Sequence, residues 1–153
     1  RLLSAGFGFD AALKVVNYAL LVKSNEESLA TLDCACVDLF TGRCAFYKAG
    51  APRSYVLRHG RLTRCELASM PAGILRGITF AKRTAVLGAG DTVVLLSDGI
   101  TDADAVGLEA LLCRFQSQDQ QELADTVLAY AKAHTPADRR DDMSVIVARL
   151  LPN

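Results

Sequence analysis

The stretch that decides the fold is Thr92-Val93-Val94-Leu95-Leu96-Ser97-Asp98-Gly99, an apolar run that ends in a carboxylate and a glycine. Its β-branched and aliphatic side chains predict a buried strand over residues 92–97. Asp98 follows at the end of that strand, and Gly99 leaves the backbone free to turn. The sequence therefore predicts a carboxylate held at the edge of a sheet.

A second stretch carries the same parts in reverse order. Asp141-Asp142-Met143-Ser144 precedes the apolar run Val145-Ile146-Val147, which predicts a strand over residues 143–151 that is buried on both faces. If the two strands are adjacent and antiparallel, the end of the first meets the start of the second, and Asp98 and Asp141 converge. Converging carboxylates are typical ligands of hard divalent cations such as Mg²⁺ and Mn²⁺.

Taken singly, each motif also has a structural explanation. Asp-Gly after a strand is a common turn, and Asp-Asp before a strand can be a solvated cap. The pairing of the two motifs is what favours a cation site.

Several polar residues flank the two motifs. Asp102 and Asp104 could assist the site through water, but a solvated loop is favoured, and Ser144 is expected to hydrogen-bond near the start of its strand. Arg139 and Arg140 could meet a phosphate, but pairing with the carboxylates of Asp141 and Asp142 is favoured.

The rest of the chain alternates in pattern between helix and strand. The tail of a helix over residues 1–5 ends at Gly6, and a helix over 9–23 is apolar on both faces, which predicts burial. Strands are predicted over residues 29–39, 44–48, 54–58, 61–66 and 78–87, and helices over 107–115 and 120–134, the last with Asp119 as its N-cap. His59-Gly60 predicts a tight hairpin, and the sheet is expected to be mostly an antiparallel meander. This order predicts an α+β domain.

The composition is that of a globular protein. With 153 residues, 51% of them hydrophobic, and a formal net charge of zero, a single domain over residues 1–153 is predicted. The absence of a basic excess argues against nucleic acid or an anionic membrane as partners, and no apolar run approaches the roughly 20 residues that span a bilayer. Because the chain begins at Arg1 rather than at a methionine, we expect it to be part of a longer protein.

The cysteines and histidines are not expected to form a site. The five cysteines are predicted to be reduced and buried in the core, including the pair Cys34 and Cys36, which would share one face of a strand. His59 and His134 lie far apart beside turn or helix-end signals, so both are expected at the surface.

The two carboxylate motifs resemble the closing motifs of the type 2C metal-dependent protein phosphatases. Within that superfamily the run from Ala30 to Leu39, then Lys48-Ala49-Gly50-Ala51-Pro52 and Met70-Pro71-Ala72-Gly73-Ile74-Leu75, is similar to the sporulation stage II protein E branch. The resemblance covers essentially the whole chain, and the order and spacing of its motifs make it specific.

The resemblance implies an antiparallel β-sandwich flanked by helices, in α-β-β-α layers, that binds two Mn²⁺ or Mg²⁺ ions. It implies hydrolysis of a phosphoserine in a phosphorylated anti-sigma-factor antagonist by a cation-activated water. Asp98 and Asp141 match two metal-ligand aspartates of the family, and Asp142 stands where relatives often have asparagine, as a candidate to support the ligands. It further implies a cytoplasmic domain of a membrane-anchored parent.

One part of the family pattern is missing. The family's other metal aspartates lie in an earlier segment that includes an Asp-Gly-Met-Gly motif, whereas Asp98-Gly99 is the only Asp-Gly of this chain. We therefore expect an N-terminally incomplete domain that alone holds the ions poorly or not at all and is inactive or severely impaired.

Two alternatives remain open. The chain could be a noncatalytic phosphatase-like module that docks partners or forms a homodimer through exposed sheet edges. It could also be a stress-signalling phosphatase of the same superfamily, although Lys48-Ala49-Gly50-Ala51-Pro52 matches the Gly-His-Asn-Pro-Pro of that branch poorly.

Overall fold

The computed structural model describes residues 1–23, 29–101 and 104–152. The chain divides into two compact units. The first comprises Arg1–Cys36, Ala45–Ala51 and Leu67–Thr84, and the second Val37–Cys44, Pro52–Glu66 and Ala85–Asn153. The single domain expected over residues 1–153 stays a prediction.

The described chain contains four α-helices and seven strands. In chain order they are α1 (Phe9–Lys23), β1 (Leu32–Val37), β2 (Arg43–Ala49), β3 (Ser54–Arg58), β4 (Arg61–Cys65), β5 (Ala81–Val86), β6 (Thr92–Leu96), α2 (Asp98–Thr101), α3 (Ala105–Arg114), α4 (Gln120–His134) and β7 (Val145–Arg149). Short 3-10 helices lie at Leu3–Ala5 and Ala137–Arg139. Within these residues, no helix is both long enough and apolar enough to cross a bilayer.

The strands form two sheets. The first has the order β1-β2-β5 and the second the order β4-β3-β6-β7, in which every neighbouring pair is antiparallel. The predicted α+β class, with antiparallel sheets and helices, is confirmed. The expected meander is wrong, because β5 joins β2 in the first sheet instead of following β4 in the second.

The hairpin between β3 and β4 is the predicted one. His59 and Gly60 both have positive φ, 47° and 74°, as a two-residue turn that matches strand twist requires. This turn fixes the register in which Arg58 pairs with Arg61.

The first unit packs α1 against its sheet through a small core. Leu13 of α1 is buried together with Tyr47, Ala49, Ala72 and Phe80. The prediction that α1 is buried on both faces is wrong: Val15, Ala19 and Val22 are exposed, with Val22 at 84%. The apolar composition of α1 therefore predicted more burial than the structure shows.

The first unit also contains a buried ion pair. Lys48 on β2 is fully buried, and its Nζ lies 2.8 Å from Oδ2 of Asp33 on β1. Removal of one charge from such a pair leaves the other uncompensated in a poorly solvated place, which is strongly destabilising. The pair therefore fixes β1 against β2.

The second unit packs α3 and α4 against its sheet. The core consists of Tyr55, Val94, Leu96, Ile100, Leu108, Leu112, Leu123, Val127 and Ala131. Asp119 caps α4, as predicted, by accepting hydrogen bonds from the backbone N–H groups of Gln121 and Glu122.

Strand β7 differs from its prediction. It is an edge strand of the second sheet, and its residues alternate in burial, with Ile146 60% exposed. The expectation that Val145, Ile146 and Val147 are buried on both faces is therefore wrong, because only the face of β7 that packs against the α4 side is covered.

The burial of the cysteines and histidines agrees only in part with the predictions. Within the described residues none of the five cysteines forms a disulfide; Cys44 and Cys65 are buried as predicted and Cys34 is partly buried, but Cys36 and Cys113 are exposed. His59 and His134 are exposed, as expected.

Candidate cation site at the β6–β7 strand ends

The pairing of β6 with β7 brings the two carboxylate motifs to one end of the second sheet. The strands are adjacent and antiparallel, and Leu96, the last residue of β6, pairs with Val145, the first residue of β7. Asp98 therefore leaves β6 at the same edge from which the segment holding Asp141 enters β7. The strand arrangement predicted from the sequence is confirmed.

Ser97 fastens the two segments together. Its backbone N–H donates to the carbonyl of Ser144 at 3.0 Å, which extends the ladder one residue beyond the strands. Its hydroxyl Oγ donates to the carbonyl of Asp142 at 3.0 Å and accepts from the N–H of Ser144 at 2.9 Å. The Ser97 side chain thus joins the end of β6 to the segment that precedes β7.

Gly99 allows the two backbones to approach closely. A Cβ at this position would lie 2.8 Å from the carbonyl oxygen of Asp142 and 3.3 Å from that of Asp141. Because real Cβ atoms do not approach backbone oxygens so closely, a larger residue would force the segments apart. The glycine of the Asp-Gly motif lies within α2 and therefore has a packing role.

Both predicted ligand residues present their carboxylates to solvent. Asp98 and Asp141 are exposed. Oδ1 of Asp98 accepts from the N–H of Gly99 at 2.9 Å, and Oδ1 of Asp141 accepts from the N–H of Asp142 at 2.7 Å. These local bonds orient each carboxylate through one of its two oxygens.

The donor set fits a hard cation in type but not in number. Carboxylate oxygens are the ligands that Mg²⁺ and Mn²⁺ prefer, and such ions take about six oxygens each. Within residues 1–23, 29–101 and 104–152, however, no group of three or more histidine, cysteine, aspartate or glutamate side chains is arranged to hold an ion. Asp98 and Asp141 can supply part of a cation site, and the assignment of both as ligands stays a prediction.

The flanking residue Asp104 has a structural role. Asp104 caps α3 by accepting from Gly107 N–H at 3.0 Å, and it also accepts from the Tyr130 hydroxyl at 2.8 Å. The backbone N–H and the hydroxyl, in that order, hold the pKa of Asp104 below its ordinary value. The expected solvated loop is therefore wrong for Asp104, and Asp102 lies outside the described residues.

The arginines do not pair as predicted. Arg140 donates to the backbone carbonyls of Thr135, at 3.1 Å, and Lys132, at 2.7 Å. The last carbonyls of a helix carry partial negative charge and lack helical partners, which explains why a guanidinium is held there. Arg139 is exposed and forms no ion pair with any described residue.

Sequence reasoning did not single out Ser97 as the residue that joins the two motifs. The available signal was its position, one residue after an apolar strand and one before the carboxylate. The prediction that Ser144 hydrogen-bonds near its strand start is confirmed, but through its backbone rather than its side chain.

Known proteins that resemble this chain share both its sequence pattern and its fold. The family model for stage II sporulation protein E matches residues 1–151. Stage II sporulation protein E of Bacillus subtilis (strain 168) is 26% identical over 98% of this chain, and that of Priestia megaterium is 26% identical over the whole chain. The chain spans only 19% and 27% of the lengths of these two relatives.

Solved structures give the same result. The PP2C phosphatase domain with a fragment of the regulatory domain of SpoIIE from Bacillus subtilis superposes with a TM-score of 0.85 at 26% identity, covering 97% of this chain and 46% of that one. A SpoIIE phosphatase domain presoaked in Mn gives 0.74 at 25% identity, covering 99% and 71%. The RsbU and RsbW domains of Rv1364c from Mycobacterium tuberculosis, at 20% identity and a TM-score of 0.82, cover 99% and 45% and share the fold.

The family model and these alignments extend over nearly every residue of the chain, including both carboxylate motifs. The chain therefore belongs to the stage II sporulation protein E family and is homologous to the PP2C phosphatase domain of SpoIIE.

Proposed function

We propose that this chain is part of a metal-dependent protein serine phosphatase domain in which Asp98 and Asp141 are cation ligands. The observation that carries the proposal is the register of β6 and β7, which brings the two motifs to one sheet edge. Two carboxylates on adjacent strands carry like charges, and their mutual repulsion is destabilising. A divalent cation would offset it.

The residues around the two carboxylates have separable tasks in this proposal. Asp98 and Asp141 provide oxygen donors on the solvent side, where a phosphorylated protein has access. Ser97 holds the two backbone segments in register, and Gly99 permits their close approach. When bound, the cations would supply Lewis acidity that lowers the pKa of water and neutralises phosphoryl oxygens.

We further propose the number of ions and the substrate of the complete domain. The family's complete domain is proposed to use two Mn²⁺ or Mg²⁺ ions, and a Mn-presoaked SpoIIE phosphatase domain is among the structures that resemble this chain. The proposed substrate is a phosphorylated anti-sigma-factor antagonist. Because two carboxylates are fewer than such a site needs, this chain alone is expected to bind Mn²⁺ weakly and to have little activity.

The test compares two lengths of the protein. Mn²⁺ binding and Mn²⁺-dependent dephosphorylation of a phosphoserine protein are measured for this chain and for a chain extended through the preceding coding sequence. The extended chain should be active, and Asp98→Asn and Asp141→Asn in it should each weaken Mn²⁺ binding at least about ten-fold, because each removes a charged ligand.

The matched control is Asp138→Asn, which neutralises an exposed carboxylate three residues before Asp141. It should leave Mn²⁺ binding unchanged. If Asp138→Asn and Asp141→Asn had equal effects, general electrostatics rather than ligation would explain the loss. Full activity of the short chain would also contradict the proposal that it is incomplete.

A second candidate function is an interaction module that forms a homodimer. The exposed apolar residues Val15, Ala19 and Val22 along one side of α1 favour this alternative. Light scattering of the wild type and of Val22→Glu over a range of concentrations tests it. A monomer at every concentration in both proteins would exclude a homodimer through this surface.

A further inference from the structure

A small cavity in the first unit lies between α1 and the loop that leads to β5. Its volume is about 210 Å³, below the roughly 300–1,000 Å³ of pockets for drug-sized ligands, so it suits an ion or a single polar group. It is lined by Lys14, Asn17, Tyr18, Arg76, Gly77, Ile78 and Thr79. We call it the Lys14–Arg76 cavity.

Two cationic side chains line the Lys14–Arg76 cavity. Lys14 and Arg76 both line it, and neither forms an ion pair with any described residue. Asp10 lies one helical turn before Lys14, but its Oδ2 is 3.4 Å from the Tyr47 hydroxyl and 3.6 Å from Nζ of Lys82. The nearest acid on the helix is thus directed to other partners.

The two sides of the cavity are held at a fixed separation by Asn17. This side chain is 1% exposed. Its Nδ2 donates to the carbonyl of Leu75 at 2.9 Å, and its Oδ1 accepts from the N–H of Gly73 at 2.8 Å. Because both polar atoms of a buried amide are used, the loop that carries Arg76 is fixed to the helix that carries Lys14.

The remaining lining completes an anion-binding chemistry. Tyr18 and Thr79 add hydroxyl groups, which can donate to an oxyanion, and the lining residues in the described chain include no carboxylate. An arginine and a lysine on a preformed frame match the several oxygens of a phosphate better than the single charge of a halide.

We propose that the Lys14–Arg76 cavity binds a phosphate group, either as free inorganic phosphate or as the phosphoserine side chain of a protein. The site lies in the first unit, whereas Asp98 and Asp141 lie in the second. None of the residues that line the cavity belongs to the proposed cation site.

The experiment is an NMR titration of the ¹⁵N-labelled protein in EDTA, with ionic strength held constant by sodium chloride. Sodium phosphate is added in one arm and a phosphoserine peptide in the other. The amides of Arg76, Gly77 and Thr79 should shift with saturation. Saturation by phosphate at lower concentration identifies free phosphate as the ligand, and saturation by the peptide at lower concentration identifies a phosphoprotein. No saturable shift in either arm overturns the proposal.

The variant Lys14→Gln/Arg76→Gln should weaken binding at least about ten-fold, because it removes both charged donors. The control Arg61→Gln/Lys132→Gln removes the same charge from exposed positions in the second unit and should bind as the wild type does. Lys14→Arg should retain binding. Equal weakening in the two double variants would indicate nonspecific attraction and overturn the site.

Discussion

Ser97→Ala is the sharpest test of how the candidate site is assembled. The substitution removes one oxygen that donates to the carbonyl of Asp142 and accepts from the N–H of Ser144, at 3.0 and 2.9 Å. A hydrogen bond contributes about 0.5–1.5 kcal/mol net, so two give roughly 1–3 kcal/mol. Asp142 and Ser144 are exposed, and water can replace the lost partner. We therefore expect the lower half, about 1–2 kcal/mol.

The assay is urea unfolding followed by circular dichroism. The midpoint should fall with an unchanged slope, since the loss is small against the typical 5–15 kcal/mol of a domain. The matched control is Ser144→Ala. Ser144 enters these bonds only through its backbone, so its loss of a hydroxyl should change the free energy of unfolding by less than about 0.5 kcal/mol.

Mn²⁺ binding should be measured on the same Ser97→Ala variant. If Asp98 and Asp141 hold one cation together, Ser97→Ala should weaken Mn²⁺ binding in the extended protein. The substitution removes no ligand, but it removes the hydrogen bonds that join the two strand ends. Equal stability losses for Ser97→Ala and Ser144→Ala would refute the role assigned to the Ser97 hydroxyl.

Two further predictions concern the turns of the second unit. Asp91 is 2% exposed; burial alone would raise the pKa of its carboxyl, but hydrogen bonds from Arg58, followed by the N–H of Gly88, lower the pKa below its ordinary value. This stabilisation is therefore present above the unfolded-state pKa and is lost as pH falls through the folded-state pKa. Near neutral pH, the free energy of unfolding of Asp91→Asn should be lower than that of the wild type by roughly 1–3 kcal/mol. Between about pH 6 and pH 2, the free energy of unfolding should fall less steeply with acid in Asp91→Asn than in the wild type. Gly42→Ala should cost about 2–4 kcal/mol, because φ is +69° and a Cβ would overlap the carbonyl oxygen of Leu87. The control is Gly60→Ala, where φ is +74° but nothing lies near the added Cβ, so the substitution should cost only about 1 kcal/mol. Equal losses of stability for Gly42→Ala and Gly60→Ala in thermal melts would show that the overlap with Leu87 does not contribute.

The local features of the chain were predictable because each rests on neighbouring residues. Helix 9–23, helix 120–134 and strand 54–58 have the bounds that their periodicity predicts, and Asp119 caps its helix as expected. The meeting of the two carboxylate motifs was also predictable. One strand is followed by Asp98 and the other is preceded by Asp141, so the two carboxylates lie at the same end of the sheet when the strands are adjacent and antiparallel.

Two of the wrong predictions concern what covers an element rather than what the element is. Val22 and Ile146 are as apolar as core residues, but the sequence does not show whether a neighbour lies over them. Arg140 was expected to pair with the nearest acids along the chain. It instead reaches the end of α4, whose open carbonyls become available only once that helix has formed.

The pairing of Leu96 with Val145 sets the order in which the candidate site can form. The two residues are about fifty positions apart, so closing that loop carries an entropic cost of about 3 kcal/mol in its length-dependent part, whereas the hairpin at His59 closes over two residues. We expect β3 and β4 to form early and β7 to join last, at the edge of its sheet. The same edge should open first in the native protein, so Asp98 and Asp141 would separate in a brief local opening that also removes Val145 and Val147 from the α3–α4 core. Amide hydrogens of β7 should then exchange faster than those of β6, which makes the site a reporter of the least stable part of its sheet.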